Sequence, residues 1–247
     1  MKIAVISDIH GNMDALTKVM DDIRKRGCDK IFVLGDYAMA GPEPSEVIDF
    51  FMRKKAHPDL RMIQGNTDFM ISNFSNEIYE SVREKAPVMA AALKNDAENI
   101  NPMARDFLKE LPLQIEEEIE GVKFLLVHGS PRRNNEDILP TTPLEEVEKM
   151  LENVDADTVL CGHTHIPCGF QTRNKKTVIN VGSVGRPFTP EPKACYLIVN
   201  VENGKCVFEH KFIDYDNEIA SEKLAKRNFW RAEQLAKTLI DPRERHF

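Results

Sequence analysis

The chain has no C-x-x-C pair, and its five cysteines (Cys28, Cys161, Cys168, Cys195, Cys206) are odd in number, so neither a disulfide framework nor a zinc ribbon is indicated. It has no run of about 18 apolar residues for a membrane span. The opening MKIAVISDIH reaches polar and charged residues too early for a signal peptide. Repeats and low-complexity tracts are missing as well. So is any excess of positive charge: the formal net charge of -7 speaks against stable nucleic-acid binding through phosphate neutralisation, while a small anionic substrate remains compatible. These absences together predict a cytoplasmic protein. What is present, 42% hydrophobic and 30% charged residues over 247 positions, supplies one main domain with a real core.

KIAVIS (2–7), KIFVL (30–34) and LRMIQ (60–64) are short apolar runs of strand type. Asn12 opens a helical pattern between the first two, closed by Gly27, and a second helix is expected over about 45–55. This β-α-β-α-β order predicts a sheet covered by helices. From 72 to 112 the strand signal gives way to helix formers broken by Pro87 and Pro102, which reads as a helical insertion. LQIEEEIEGVKFLLV reads as a hairpin turning at Glu120-Gly121. TTPLEEVEKML predicts a helix with Thr142 as cap, Pro143 at its first position and Glu145 completing a capping box. Strands at 158–160, through Phe170, and at 176–180, 193–201 and 205–213 follow. The remainder, 214–247, reads as a helix packed on the same domain (1–213), with the Phe229-Trp230 pair leaving homodimerisation open.

The polar residues fall where strands end. SDIHG, GDY, GNTD, HGS and GHTH each follow an apolar run. In an open α/β sheet the carboxyl ends of the strands share an edge where ligands bind. Asp8, His10, Asp36, Asn66, His128, His163 and His165 should therefore meet. Seven nitrogen and oxygen donors exceed the four of a tetrahedral site, and with one bridging carboxylate they suit two divalent ions. Such donors suit Mn, Fe, Zn, Ni or Co alike. Glycines beside them (Gly11, Gly35, Gly65, Gly129, Gly162) let five backbones approach one point. His57, His210 and His246 lack this setting and read as structural, and Cys161 reads as core.

Taken in order, these segments resemble the D-x-H, G-D, G-N-H-[DE], H-G and G-H-x-H signature of the calcineurin-like metallophosphoesterase family, over about residues 7–165. The resemblance implies a four-layer αββα sandwich of two mixed β-sheets flanked by helices, with the late β-rich stretch supplying much of the second sheet. It implies Asp8, His10 and His165 on one metal, Asn66, His128 and His163 on the other, and Asp36 bridging. His163 and His165 would then stand two apart because each serves a different ion. The activity implied is a metal-dependent phosphoesterase using a metal-bridging hydroxide. Two carboxylates and one hydroxide do not cancel two divalent ions, and the neutral imidazoles and the neutral amide of Asn66 would preserve that net positive charge toward an anionic ester.

One position departs from the pattern. Where the family commonly has the histidine of G-N-H-[DE], this chain has Thr67, which cannot donate a proton at a useful pKa, and Asp68 has lost the imidazole it would orient. Smaller bacterial and archaeal phosphodiesterases of the family also replace this histidine. The expectation is a phosphodiesterase or nucleotide-polyphosphate hydrolase, with Asn66 and Asp68 as catalytic residues. Arg186 and Arg132, the latter next to Arg133, are the candidate phosphate clamps. The helical insertion, which follows GNTD directly, is placed to cap the site. A protein phosphatase or phosphomonoesterase is the enzymatic alternative. A non-catalytic metal-binding scaffold is the other class, since a retromer subunit resembles this fold.

Overall fold

The computed structural model describes residues 1–243; His246 lies outside the described residues. Strand β1 (Lys2–Ile6) is buried on both faces, as its unbroken apolar run requires: Ile3 and Val5 point one way, Ala4 and Ile6 the other. Helix α1 (Met13–Lys25) follows, its N-cap Asn12 accepting from the Ala15 amide, an arrangement worth about 1 kcal/mol. Next come β2 (Lys30–Val33), α2 (Pro44–Met52) and β3 (Leu60–Met62). The three strands pair in parallel. GNTD, expected only as a ligand loop, opens helix α3 (Asn66–Ser72).

The 72–112 stretch forms α4 (Asn76–Lys85), α5 (Pro87–Asn99) and α6 (Pro102–Glu110). Pro87 and Pro102 each take the first turn of a helix, where a missing N–H costs nothing. Strands β4 (Gln114–Ile119) and β5 (Val122–Val127) make the expected hairpin. Helix α7 (Leu144–Met150) forms, but without the expected capping box: Thr142 Oγ1 accepts from the Leu139 amide instead, and the Pro143 carbonyl begins the helix. Then come β6 (Thr158–Cys161), β7 (Cys168–Gln171), β8 (Thr177–Asn180), β9 (Ala194–Glu202) and β10 (Lys205–Ile213). Beyond them the expected single helix is two, α8 (Asn217–Ala225) and α9 (Ala232–Lys237), broken by a turn that ends at Arg231 with φ 58°. Leu224, Leu235 and Leu239 enter the core, while Ile219 and Trp230 face solvent.

Two mixed five-stranded sheets result, ordered β10-β9-β1-β2-β3 and β4-β5-β6-β8-β7. The late strands divide between them: β6, β7 and β8 join the second sheet, but β9 returns antiparallel to β1 and carries β10 into the first. Three apolar layers fill the gaps. Ile3, Val5, Phe32 and Leu197 meet Phe124, Leu126 and Leu160 between the sheets. Ala4, Ile6 and Val33 pack under α1, α2 and the inserted helices, and Leu125, Val127 and Val159 pack under α7. The order is helix, sheet, sheet, helix. Cys161 is in the core, and His57 and His210 hold local structure through the Asp59 amide and the Asn180 carbonyl.

Candidate metal centre

The loops after β1, β2, β3, β5 and β6 meet at one edge, and their backbones are unusual where the candidate donors sit. Asp8, His10, Asp36, His163 and His165 all have φ between 46° and 69°. This left-handed region is uncommon for residues other than glycine, and such positions cluster at functional sites. The loops pack with almost no space between them. Gly35, at φ +92°, lies against Gly65, where an added Cβ would come within 2.3 Å of its backbone nitrogen.

Three histidines are oriented by the main chain. His10 Nδ1 lies 2.9 Å from the Met39 carbonyl, His128 Nδ1 2.6 Å from Leu34, and His165 Nδ1 2.6 Å from Arg186. A carbonyl only accepts, so each Nδ1 carries a proton and each Nε2 is the nitrogen turned to the interior. Those nitrogens converge. His10 Nε2 and His165 Nε2 stand 3.1 Å apart. Asp8 Oδ1 lies 3.3 Å from His165 Nε2 and 3.9 Å from both His10 and His128 Nε2, fully buried and without a hydrogen-bond donor. Asp36 Oδ2 lies 3.6 Å from His10 Nε2 and 3.4 Å from His128 Nε2. Asn66 Oδ1 is 2.9 Å from His128 Nε2.

Among the described residues two donor sets with metal-binding spacing emerge: Asp8, His10 and His165, and Asp8, Asp36 and His128. The first coincides with the predicted trio. Asp36 reaches both sides, as a bridging ligand would, and Asp8 does so as well. His163 is placed differently. Its backbone amide donates to Asp8 Oδ2, its ring lies 5.3 Å from that of His128, and its Nε2 faces Asp137 Oδ1 at 3.2 Å. Thr164, between the two motif histidines, is turned to Asn180, which donates to its hydroxyl.

Charge in this site calls for a cation. Burial disfavours charge on His128, yet the carboxylates of Asp36 and Asp8 outweigh it and push its pKa up to about 10. Burial and the neighbouring His165 lower His10 to about 4, keeping it neutral. Asp8 and Asp36, though burial opposes it, are held ionised by the histidines beside them. Two buried carboxylates, an oxygen without a donor and opposed imidazole lone pairs all fit divalent ions in this space.

The remaining predicted residues stand around this centre. Thr67 donates its amide to Asp36 Oδ1 and its hydroxyl to the Ala38 carbonyl. Asp68 points away from the donors, both its oxygens accepting backbone amides from Asp36, Tyr37 and Gly65. Burial and the charge of Asp36 raise it to about 7 against those amides. Arg186 is buried beside His165, with Nη1 3.6 Å from Met89 Sδ of α5. Arg132 is engaged elsewhere: Nε and Nη2 form a fork on Glu136 at 3.0 and 2.7 Å, and Arg133 joins the same carboxylate.

Sequence reasoning missed several supporting residues. Ser183 donates to the Asp8 carbonyl, Asn180 to the Gly162 carbonyl and Asn12 to the Gly185 carbonyl, so the loop after β8 binds the ligand loops together. Arg227 donates to the Gly41 carbonyl and pairs with buried Asp96.

A profile described as the calcineurin-like phosphoesterase superfamily domain matches residues 1–204. The chain belongs to that superfamily. An uncharacterized protein of Methanocaldococcus jannaschii is 32% identical over 253 aligned positions, covering 94% of this chain and 96% of the relative. Two crystal structures share the fold. One is a hypothetical protein of Pyrococcus horikoshii OT3 (24% identity, TM-score 0.84) and the other a metallophosphoesterase of Sphaerobacter thermophilus (22%, 0.76); each alignment covers 97% of this chain and 98% of the other. The chain is thus a calcineurin-like metallophosphoesterase by family, with candidate metal-binding residues at the shared edge of its strands. Among the described residues no helix is long and apolar enough to cross a membrane.

Proposed function

We propose that the chain is a dinuclear-metal phosphodiesterase or nucleotide-polyphosphate hydrolase. The observation that carries this reading is the convergence of the His10, His128 and His165 Nε2 atoms on Asp8 Oδ1, which has no donor of its own. Asp8, His10 and His165 would hold one ion; Asp36, His128, Asn66 and, from the other side, His163 would hold the second, with Asp36 shared. Bound there, two ions of the Mn, Fe, Zn, Ni or Co class supply Lewis-acid activation of water and of the phosphoryl oxygens.

The protein's own part is orientation. Three main-chain carbonyls fix which nitrogen each imidazole offers, and Asp68 fixes the loop that carries Asp36. Asp68 therefore acts in this reading as a positioning residue, not as a proton donor, since three amides occupy its oxygens. With Thr67 also committed, the 66–68 segment offers the leaving group no proton. That favours substrates whose leaving group departs without strong acid assistance, anhydrides and activated diesters over alkyl monoesters. Arg186, buried beside the first donor set, is the better placed phosphate clamp, because Arg132 is already forked on Glu136. Its contact with Met89 supports a capping role for the 72–112 helices.

The test is turnover of a chromogenic phosphodiester and the matching monoester by protein stripped of metal and reloaded with Mn²⁺, with His128→Ala as control. Faster diester turnover that the mutation abolishes is the expected result. Faster turnover of an alkyl monoester would instead favour the phosphomonoesterase alternative, and two bound ions without turnover of any ester would favour the scaffold.

A further inference from the structure

A groove of about 610 Å³ lies between Phe69 of α3 and the loop after β5, with fully buried His128 at its inner wall. Its size is that of a site for a small organic molecule. We propose that this groove binds the nucleoside part of the substrate, with the base lying on Phe69. The proposal rests on the phosphoesterase reading only for the direction in which the phosphate points.

Phe69 lies one helical turn beyond Asn66 on α3, so the two side chains share a face. Asn66 reaches the metal centre at His128, and Phe69 borders the groove while 45% exposed. Leu113, 58% exposed, borders the same groove. Single exposed apolar residues are ordinary. Two on one groove whose inner wall includes a candidate metal ligand, buried His128, offer apolar surface beside the metal centre. Asn134 and Asn135 add amides, each both donor and acceptor, suited to the polar edge of a heterocycle. Lys109 contributes a cation suited to a second phosphate. An aliphatic chain would leave these polar groups unmatched.

The walls are preformed, which limits the ordering cost of binding. Glu136, nearly buried, accepts from Ser130, Arg132 and Arg133 and so ties down the loop after β5. On the opposite side Gln64 is anchored by its side-chain amide to the Leu108 carbonyl and by its backbone amide to the Pro112 carbonyl.

The experiment compares binding of adenosine 5′-monophosphate and ribose 5-phosphate to the Mn²⁺-loaded protein by calorimetry, in the wild type, Phe69→Ala and Phe69→Trp. Base stacking on an aromatic side chain gives about a tenfold preference or more for the nucleotide. Phe69→Ala should bring the ratio close to one and Phe69→Trp should keep it. Equal affinities in the wild type, an unchanged ratio in Phe69→Ala, binding of neither compound, or tighter binding of a phosphoserine peptide would each overturn the proposal. Failure of the phosphoesterase reading shows separately, as absence of turnover of every ester tried, and leaves the binding ratio readable.

Discussion

His10 Nε2 and His165 Nε2 stand 3.1 Å apart with both Nδ1 protons already given to main-chain carbonyls. Neither ring can donate to the other, so the pair is stable only with a cation between them or a proton taken from outside. Adding Mn²⁺ at a hundredfold excess over its dissociation constant stabilises the native state by about 2.7 kcal/mol. For a domain of this size that raises the melting temperature by about 5 °C or more. Thermal melts with Mn²⁺ and with EDTA check this, and His165→Ala should bind one ion fewer per chain by elemental analysis.

Asp137 is an exposed residue with a specific neighbour, His163 Nε2 at 3.2 Å. It faces the nitrogen that the other three motif histidines turn to the interior. Removing such a carboxylate partner typically weakens metal binding by about 10- to 100-fold. Asp137→Ala should therefore weaken binding of the second ion while sparing the first, and Asp137→Asn, which keeps an acceptor oxygen, should recover part of the loss. Metal titration calorimetry reads both steps; equal weakening of the two ions would count against it.

Gly65 has no room for a methyl group. A Cβ there would lie 2.1 Å from Asp36 Oδ1 and 2.4 Å from the Asp36 backbone nitrogen. Gly65→Ala should cost about 2 kcal/mol in denaturant unfolding and lower metal content, because relief of the clash must move the carboxylate that faces both His10 and His128.

Glu136 carries the clearest acid signature. Hydrogen bonds from Arg132, then from Ser130 and Arg133, overcome burial and lower its pKa from 4.5 to about 2. A depressed carboxylate stabilises the folded state fully above its unfolded value and loses that contribution as pH falls toward the folded one. The wild type should thus lose stability between about pH 4.5 and 2 more steeply than Glu136→Gln, measured by melts across that range.

Arg227 supports the centre from behind. It pairs with Asp96, which is fully buried, and donates to the Gly41 carbonyl, in the loop whose Met39 carbonyl orients His10. Arg227→Ala leaves a buried carboxylate without its counter-charge, a loss of about 3 to 5 kcal/mol, and should also lower metal content. Asp96→Asn should recover part of the stability in the Arg227→Ala background.

The candidate site was legible in the sequence because its donors are local. Asp8 and His10, or His163 and His165, are neighbours beside a strand whose apolar run marks its own end. The layers followed from resemblance and the inserted helices from their helix-forming composition, and the breaks read at Pro87 and Pro102 are the points where two of those helices begin. Sheet membership was not legible for β9 and β10. Either sheet would accept the buried apolar run of β9 and the alternation of β10, and only the pairing of β9 with β1 decides. Thr142 had the right neighbours for a capping box, but its hydroxyl turned back to Leu139, a choice that local pattern does not fix. Asp137 sits in a polar run, NNED, with no periodicity to single it out. Phe69 was hidden because a half-exposed aromatic looks like any other until the groove beside it is seen.

The return of β9 to β1 also fixes when the site can exist. Lys2 pairs with Asn200, and the terminal ammonium of Met1 donates to the Val201 carbonyl. Contacts so far apart along the chain form late and slow folding. Until β9 pairs, the strand that leads into Asp8 and His10 has one edge open. The donors beside β1 and those of the loop after β6 are consequently fixed together only once β9 has paired, so without β9 the first sheet on which the site is built is unfinished.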